Sequence, residues 1–430
     1  MSYIRTLSEG IVLPAVLLFS AIFFLIYMKG APFRTLLTDL RDLRNKRGEG
    51  QSPLKAVTLA LAGTLGVGNL VGVAAALLEG GAGVLFWMWL SCPAAMVVKY
   101  AEIKLCMQHR VKTPRGWQGG AMYYMPPWAG RLFAALCLAC AFSVGCAMQS
   151  GAFANALIAT THPPLPRLCA LLCGALLCLP LAVALFCSRR ISDLTVWLVP
   201  AMSLLYFFLC LAVLIAYRQN LCCALTEIIR GAFYPKSALL GTGTGIFTAL
   251  RLGVVRGILS NEAGCGTAPM AHGGSSAKSS SGQGALGVVE VAFDTLFLCT
   301  LTGLCLLVCP KELLFGASGA IAALLAVFTS IFGASAKLLL AVAIYFFAIA
   351  TLLCWSFYGK SCLSFLFRGK KTDKIFYVVF CIATFLSPLL NEEAVLAFAD
   401  PVIAAMTLLN LFFIFRRRRE LGTLPSPLAK

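Results

Sequence analysis

The sequence predicts an all-α polytopic membrane protein of about eleven transmembrane helices, one N-terminal helix followed by two five-helix halves that run in opposite senses. Three features predict it: an extreme apolar composition, a one-sided distribution of basic residues, and two glycine-rich interruptions inside otherwise apolar runs.

Of the 430 residues, 60% are hydrophobic and only 12% are charged, a balance that a soluble globular domain does not show. Crossing a hydrocarbon core of about 30 Å takes about 20 apolar residues as helix, because lipid cannot satisfy free backbone groups. Apolar stretches of this kind lie at 11–28, 55–79, 84–107, 131–159, 165–187, 194–217, 238–276, 284–310, 338–367, 375–390 and 396–415. The first has only Arg5 ahead of it and no small-residue cleavage site, so it reads as a helix rather than a signal peptide. The division that follows is 1–54 for the first helix and a basic loop, 55–217 and 238–415 for the two halves, and 416–430 for a basic tail.

The net charge of +18 comes from topology and requires no nucleic acid. With the N-terminus outside, Lys29, Arg34, Arg41, Arg44, Lys46, Arg47 and Lys55 fall in one cytoplasmic loop. Arg110, Lys112, Arg115 and Arg131 fall in the next, followed by Arg189 and Arg190, Arg368 to Lys374, and the run Arg416 to Arg419. That asymmetry places the C-terminus in the cytoplasm, and the expected location is the plasma (inner) membrane. The nineteen cysteines sit mostly in apolar stretches, where Cys behaves as a small hydrophobe. Cys137 and Cys140 form a CxxC with no second pair, which argues against zinc or redox chemistry.

A helix that only spans lipid can be built from Leu, Val and Ala, so polar interruptions are informative. The second stretch contains Gly63, Thr64, Gly66, Val67, Gly68 and Asn69; the seventh contains Ser260, Asn261, Glu262, Gly264, Gly266, Thr267 and Pro269. Backbone can leave a membrane helix only where protein or a cavity surrounds it. The two interruptions are five crossings apart and run in opposite directions, the layout of an inverted repeat whose broken helices mark a midplane binding site. Close helix packing through Gly68 and Gly72 is the alternative reading of the first cluster. A dinucleotide loop is excluded by the GxGxxxG spacing and by the lack of a preceding strand. Gly241 to Gly245 reads as a loop or helix entry.

Among the ionisable residues within the spans, Arg256 and Glu262 flank the second interruption, as a gate or as a static pair. Glu290 and Asp294 lie four residues apart, on one helical face, as candidate proton acceptors. Trp87 and Trp89 read as interfacial anchors. The histidines at 109, 162 and 272 form no pattern that suggests an enzyme.

These segments resemble the alanine or glycine:cation symporter family along nearly the whole chain. Gly63 to Ala74 reads GTLGVGNLVGVA against the family's GTxGTGNIxGVA, and Gly80 to Trp89 reads GGAGVLFWMW, with Lys99-Tyr100-Ala101-Glu102 after it. Gly119 to Tyr124 reads GGAMYY, Gly253 to His272 reads GVVRGILSNEAGCGTAPMAH, and Phe347 to Lys360 reads FAIATLLCWSFYGK. The resemblance implies the leucine-transporter-like five-plus-five inverted repeat with one extra N-terminal helix. It also implies secondary uptake of a small neutral amino acid, alanine and/or glycine in L or D form, by alternating access with a cation, Na+ or H+. It implies no organic cofactor and no metal beyond Na+.

Carried over, the resemblance assigns cation binding to Thr64, Gly66, Val67, Gly68 and Thr351, and substrate binding to Asn69, Gln149, Gly264, Gly266, Thr267 and Trp355. The sequence departs from the family pattern at Val67 (family Thr), Ala350 (Ser), Cys146 and Gly151 (Asn) and Lys360 (Glu), which leaves the coupling ion open. Uncoupled transport, or a non-transporting sensor on the same scaffold, is the remaining alternative.

Overall fold

The computed structural model describes residues 12–45, 50–114, 116–187, 191–233, 246–367 and 370–422. The predicted start of the second half at 238 and the Gly241 to Gly245 motif lie outside them. Helices occupy every predicted apolar stretch: α1 (Leu13–Tyr27), α2 (Pro53–Thr64) with α3 (Val71–Gly80), α4 (Gly83–His109), α5 (Pro127–Thr161), α6 (Pro166–Cys187), α7 (Ile191–Ala216), α8 (Leu221–Phe233), α9 (Ile246–Leu259) with α10 (Ala268–Gly273), α11 (Ser280–Val308), α12 (Ala320–Phe332), α13 (Ala336–Leu366), α14 (Lys370–Leu386), α15 (Glu392–Arg416) and α16 (Arg418–Gly422). Among the described residues, eight helices are long and apolar enough to cross a membrane, and the bent pair α2 and α3 makes a ninth. Of the two other predicted spans, α1 has 15 residues and the seventh is divided between α9 and α10.

Helices also arise where no span was expected, α8 and α12 among them. The helix α8 carries Glu227 and Arg230 beside Leu221, Leu225 and Ile229, so it is amphipathic and its apolar residues do not form a continuous run. The helix α12 is apolar but has only 13 residues, about 20 Å of helix, and turns at Gly333 (φ 55°) into α13. The Trp89 indole N–H donates to Thr300 on α11 at 2.7 Å.

The longest contacts run along α4, which packs against α9, α11, α1 and α8, while α13 lies across α5, α2 and α7. Close approach is set by small residues. A Cβ on Gly83 would stand 2.3 Å from the backbone of Gly231, so α8 can seat on α4 only because both positions are glycine. All nineteen cysteines are free thiols.

Lys55, Arg110 and Arg416 to Arg419 mark one end of the bundle, here called the basic side. There the chain before α2 pairs with the chain after α10. Gln51 N–H donates to the Gly274 carbonyl at 3.1 Å and Ser276 N–H to the Gln51 carbonyl at 2.6 Å. Arg110 donates to the carbonyls of Ser275 and Ala277 and stacks on Trp117, 4.4 Å from its ring centre, within a hairpin of β1 (Val111–Thr113) and β2 (Gly116–Gln118). These contacts tie both broken helices together at that end.

The Gly83 contact gives a direct test. Gly83→Val should lower stability by about 1–3 kcal/mol or more, whereas Gly319→Ala, whose Cβ would meet nothing within 4 Å, should leave it unchanged; thermal unfolding in detergent compares the two.

Candidate functional site

The first break forms because Leu65 leaves the helical region (φ −79°, ψ 74°), a short turn covers Val67–Asn69, and α3 resumes at an angle of 64°. The turn frees backbone groups that lipid could not satisfy. Val67 N–H finds the Gln149 side-chain oxygen at 3.3 Å. A Cβ on Gly66 would lie 3.1 Å from the Thr351 hydroxyl and 3.2 Å from Gln149 Oε1. The structure therefore brings Gly66, Val67, Gln149 and Thr351 to one point, with Ala350 buried beside Thr351. Thr64 is buried at the end of α2, and its hydroxyl donates to the Leu61 carbonyl at 3.5 Å. Gly68 is exposed, with open space where a side chain would stand.

Trp355 lies one turn beyond Thr351, buried against Gly145, where a Cβ would fall 2.2 Å from the Trp355 Cβ. Its indole N–H is buried without a hydrogen-bond partner among the described residues. Gly145 belongs to a π-helical stretch, Ala141–Met148, that ends at Gln149; a second such stretch, Ala292–Cys299, contains Asp294. These wide turns, which recur at functional sites, leave no signature in the apolar pattern.

Asp294 joins the two breaks. The Asn69 amide of the first break donates to one of its oxygens, and the Ser260 hydroxyl of the second donates to the other at 3.2 Å. Next to it, Asn261 donates to Thr295 at 2.6 Å and to the Gly257 carbonyl at 2.7 Å. Asn69 thus faces Asp294 rather than the Gln149 and Thr351 group.

The second break runs from Ser260 to Thr267. Glu262 (φ 51°), Gly264 (φ 81°) and Gly266 (φ 80°) all take left-handed backbone there, a conformation that costs a non-glycine residue about 1 kcal/mol or more. Contacts from three helices hold it. Lys99 on α4 donates to the Asn261 carbonyl at 2.6 Å and pairs with Glu290 at 3.1 Å. Glu102 accepts from Gly266 N–H at 3.1 Å, and Asn410 on α15 donates to the Gly264 carbonyl at 2.8 Å. Thr267 donates to Glu262 at 2.5 Å. The backbone of Gly264 and Gly266, expected to meet substrate, is thus bonded to the protein's own side chains.

Glu290 faces Lys99 and His272. Gln283 donates to His272 Nδ1 at 2.7 Å, which leaves Nε2–H to donate to Glu290 at 3.1 Å. Arg256 is exposed and lies against Gly72, whose Cβ would be 3.4 Å from its guanidinium. No ion pair joins Arg256 to Glu262 among the described residues, so the pair read from sequence is not formed in this conformation. Sequence reasoning gave no site role to Lys99, Glu102, Tyr124 or Asn410; the Lys99-Tyr100-Ala101-Glu102 string, two charges inside an apolar span, was the available signal.

The chain matches the family described as the sodium:alanine symporter family over residues 1–419. It belongs to that family of transporters. The sodium/alanine symporter AgcS of Methanococcus maripaludis is 31% identical over 381 residues, 86% of this chain and 82% of that protein. An uncharacterized transporter of Haemophilus influenzae is 31% identical over 385 residues, 87% and 83% of the two chains. Among solved structures, a manganese transporter of Eremococcus coleocola superposes with a TM-score of 0.54 at 13% identity, over 84% of this chain and 76% of that one; this likeness is one of fold.

Removing one partner of the buried Lys99–Glu290 pair strands a charge. Lys99→Met should destabilise the protein by roughly 3–5 kcal/mol, and adding Glu290→Gln should restore much of the loss, as read from thermal unfolding and the monodisperse fraction in detergent.

Proposed function

We propose that the chain imports a small neutral amino acid, alanine and/or glycine, together with Na+ by alternating access. The observation that carries this reading is the meeting of two broken helices through Asp294, beside an exposed Gly68, with the chain before the first break bridged to the chain after the second through Gln51 and Ser275. Half-helix N-termini attract a carboxylate and unwound carbonyls attract a cation. The substrate sits against Asn69, Gln149 and Trp355, with the Gly264 to Thr267 turn as the opposite wall. Na+ takes the carbonyls of Thr64 to Gly68 and the Thr351 hydroxyl, a set of neutral oxygens suited to a hard cation.

The halves 55–217 and 238–415 move against each other as an inverted repeat, with the N-terminus outside and the C-terminus in the cytoplasm. Opening to the basic side requires the Gln51 bridge to part, and Arg256 and Glu262 are placed to approach one another as the access changes. Proton coupling is a second reading, favoured by Asp294, a buried carboxylate held from both breaks.

Uptake of radiolabelled alanine and glycine into proteoliposomes tests the reading under an inward sodium gradient, an inward proton gradient, or neither. Accumulation that needs sodium supports it, accumulation that needs only protons moves the coupling to Asp294, and no accumulation of either amino acid refutes the assignment. In the sodium case, Thr351→Ala should raise the sodium half-saturation about tenfold, the loss of one ligand to a charge.

A further inference from the structure

The second break is held by more side chains than its own sequence supplies. Its three left-handed residues sit between α4 and α15, and one side chain joins the Gly264 carbonyl to Glu102, which in turn holds Gly266. Asn410, fully buried, donates to the Gly264 carbonyl at 2.8 Å and to Glu102 Oε2 at 3.1 Å, and accepts from the Tyr124 hydroxyl at 2.5 Å. Glu102 uses the same oxygen to accept from Gly266 N–H, while its other oxygen is buried without a hydrogen-bond partner among the described residues. Asn is suited to this place because it offers two donors and an acceptor. Without it, the turn keeps the Gly266–Glu102 bond and the Cys265–Thr407 contact at 3.3 Å on this side.

The same chain of contacts continues to the basic side. The Arg417 guanidinium donates to the Tyr124 carbonyl and, at 2.8 Å, to Glu420. Glu420 meets His109 at 2.5 Å, and Lys104 donates to the Leu421 carbonyl at 2.7 Å. Glu102, Lys104 and His109 all belong to α4, so one helix binds the break with its middle and the C-terminal turn with its end.

We propose that Asn410 is a positioning residue that sets the shape of the second break, and that the Arg417 to Leu421 turn biases that shape through Tyr124. The proposal rests on the transport reading of the site. With the hub intact, the turn is prepaid in its left-handed form and the substrate meets a finished wall. With it removed, binding must order the turn, and apparent affinity falls while the translocation step is spared.

Two measurements on the full-length protein test this. Hydrogen–deuterium exchange without substrate should be faster across 262–267 in Asn410→Ala than in the unsubstituted protein, with 64–70 unchanged. In proteoliposomes the same variant should raise the half-saturation concentration for alanine or glycine about tenfold, with the maximal rate per folded transporter within about twofold. Tyr124→Phe, a milder change, should shift the half-saturation in the same direction by about threefold and add nothing to Asn410→Ala in the double variant. Arg417→Ala should speed exchange across 262–267, though less than Asn410→Ala. Unchanged exchange at 262–267 in Asn410→Ala overturns the proposal, as does a fall in maximal rate at constant half-saturation. If the unsubstituted protein carries no amino acid, the transport reading fails on its own, and the exchange result still decides the role of Asn410.

Discussion

Backbone that leaves a helix inside an apolar bundle must find hydrogen bonds from the protein itself, and this structure is arranged around that need at two places. Val67 N–H takes Gln149, the Asn261 carbonyl takes Lys99, Gly266 N–H takes Glu102 and the Gly264 carbonyl takes Asn410. Each unmet group would cost several kcal/mol in lipid. The charges of α4 follow from this: Lys99 is acceptable in the core because Glu290 neutralises it, and Glu290 because His272 also donates to it.

The two breaks are held unequally. The second is fixed by α4, α11 and α15, and its backbone groups are committed. The first has one 3.3 Å contact from Gln149, a glycine beside Thr351 and an exposed Gly68. A ligand that brings its own charges can bond more of the first break than of the second. Asp294 receives Asn69 from one and Ser260 from the other, so one carboxylate bonds to both. The Gln51–Ser275 bridge likewise rests on two backbone bonds, Gln51 N–H to the Gly274 carbonyl and Ser276 N–H to the Gln51 carbonyl.

Much of this was legible in the sequence, and the limits have physical causes. Glycines and an amide in an apolar run located the first break, and helices stand at all the predicted stretches because apolar length is a strong signal. The helices α8 and α12 escaped because one is amphipathic and the other short. At the site, Gln149 and Thr351 do meet Gly66 and Val67, but Asn69 faces Asp294, and the Gly264 to Gly266 backbone is already bonded. Asn410 and Glu102 could not be linked to that turn from sequence, since their contacts cross 146 and 164 residues of chain. A motif shows which residues a family keeps, and only packing shows which of them touch.

The most direct test of a ligand site at the first break uses the open space at Gly68. In a background with Cys187, Cys222 and Cys223, the exposed thiols, replaced by serine, Gly68→Cys would carry a thiol into that space without a clash. Reaction with a membrane-impermeant maleimide should label it, and alanine or glycine in the presence of sodium should slow the labelling. A thiol that reacts at the same rate with or without either amino acid would contradict a substrate site between the broken helices.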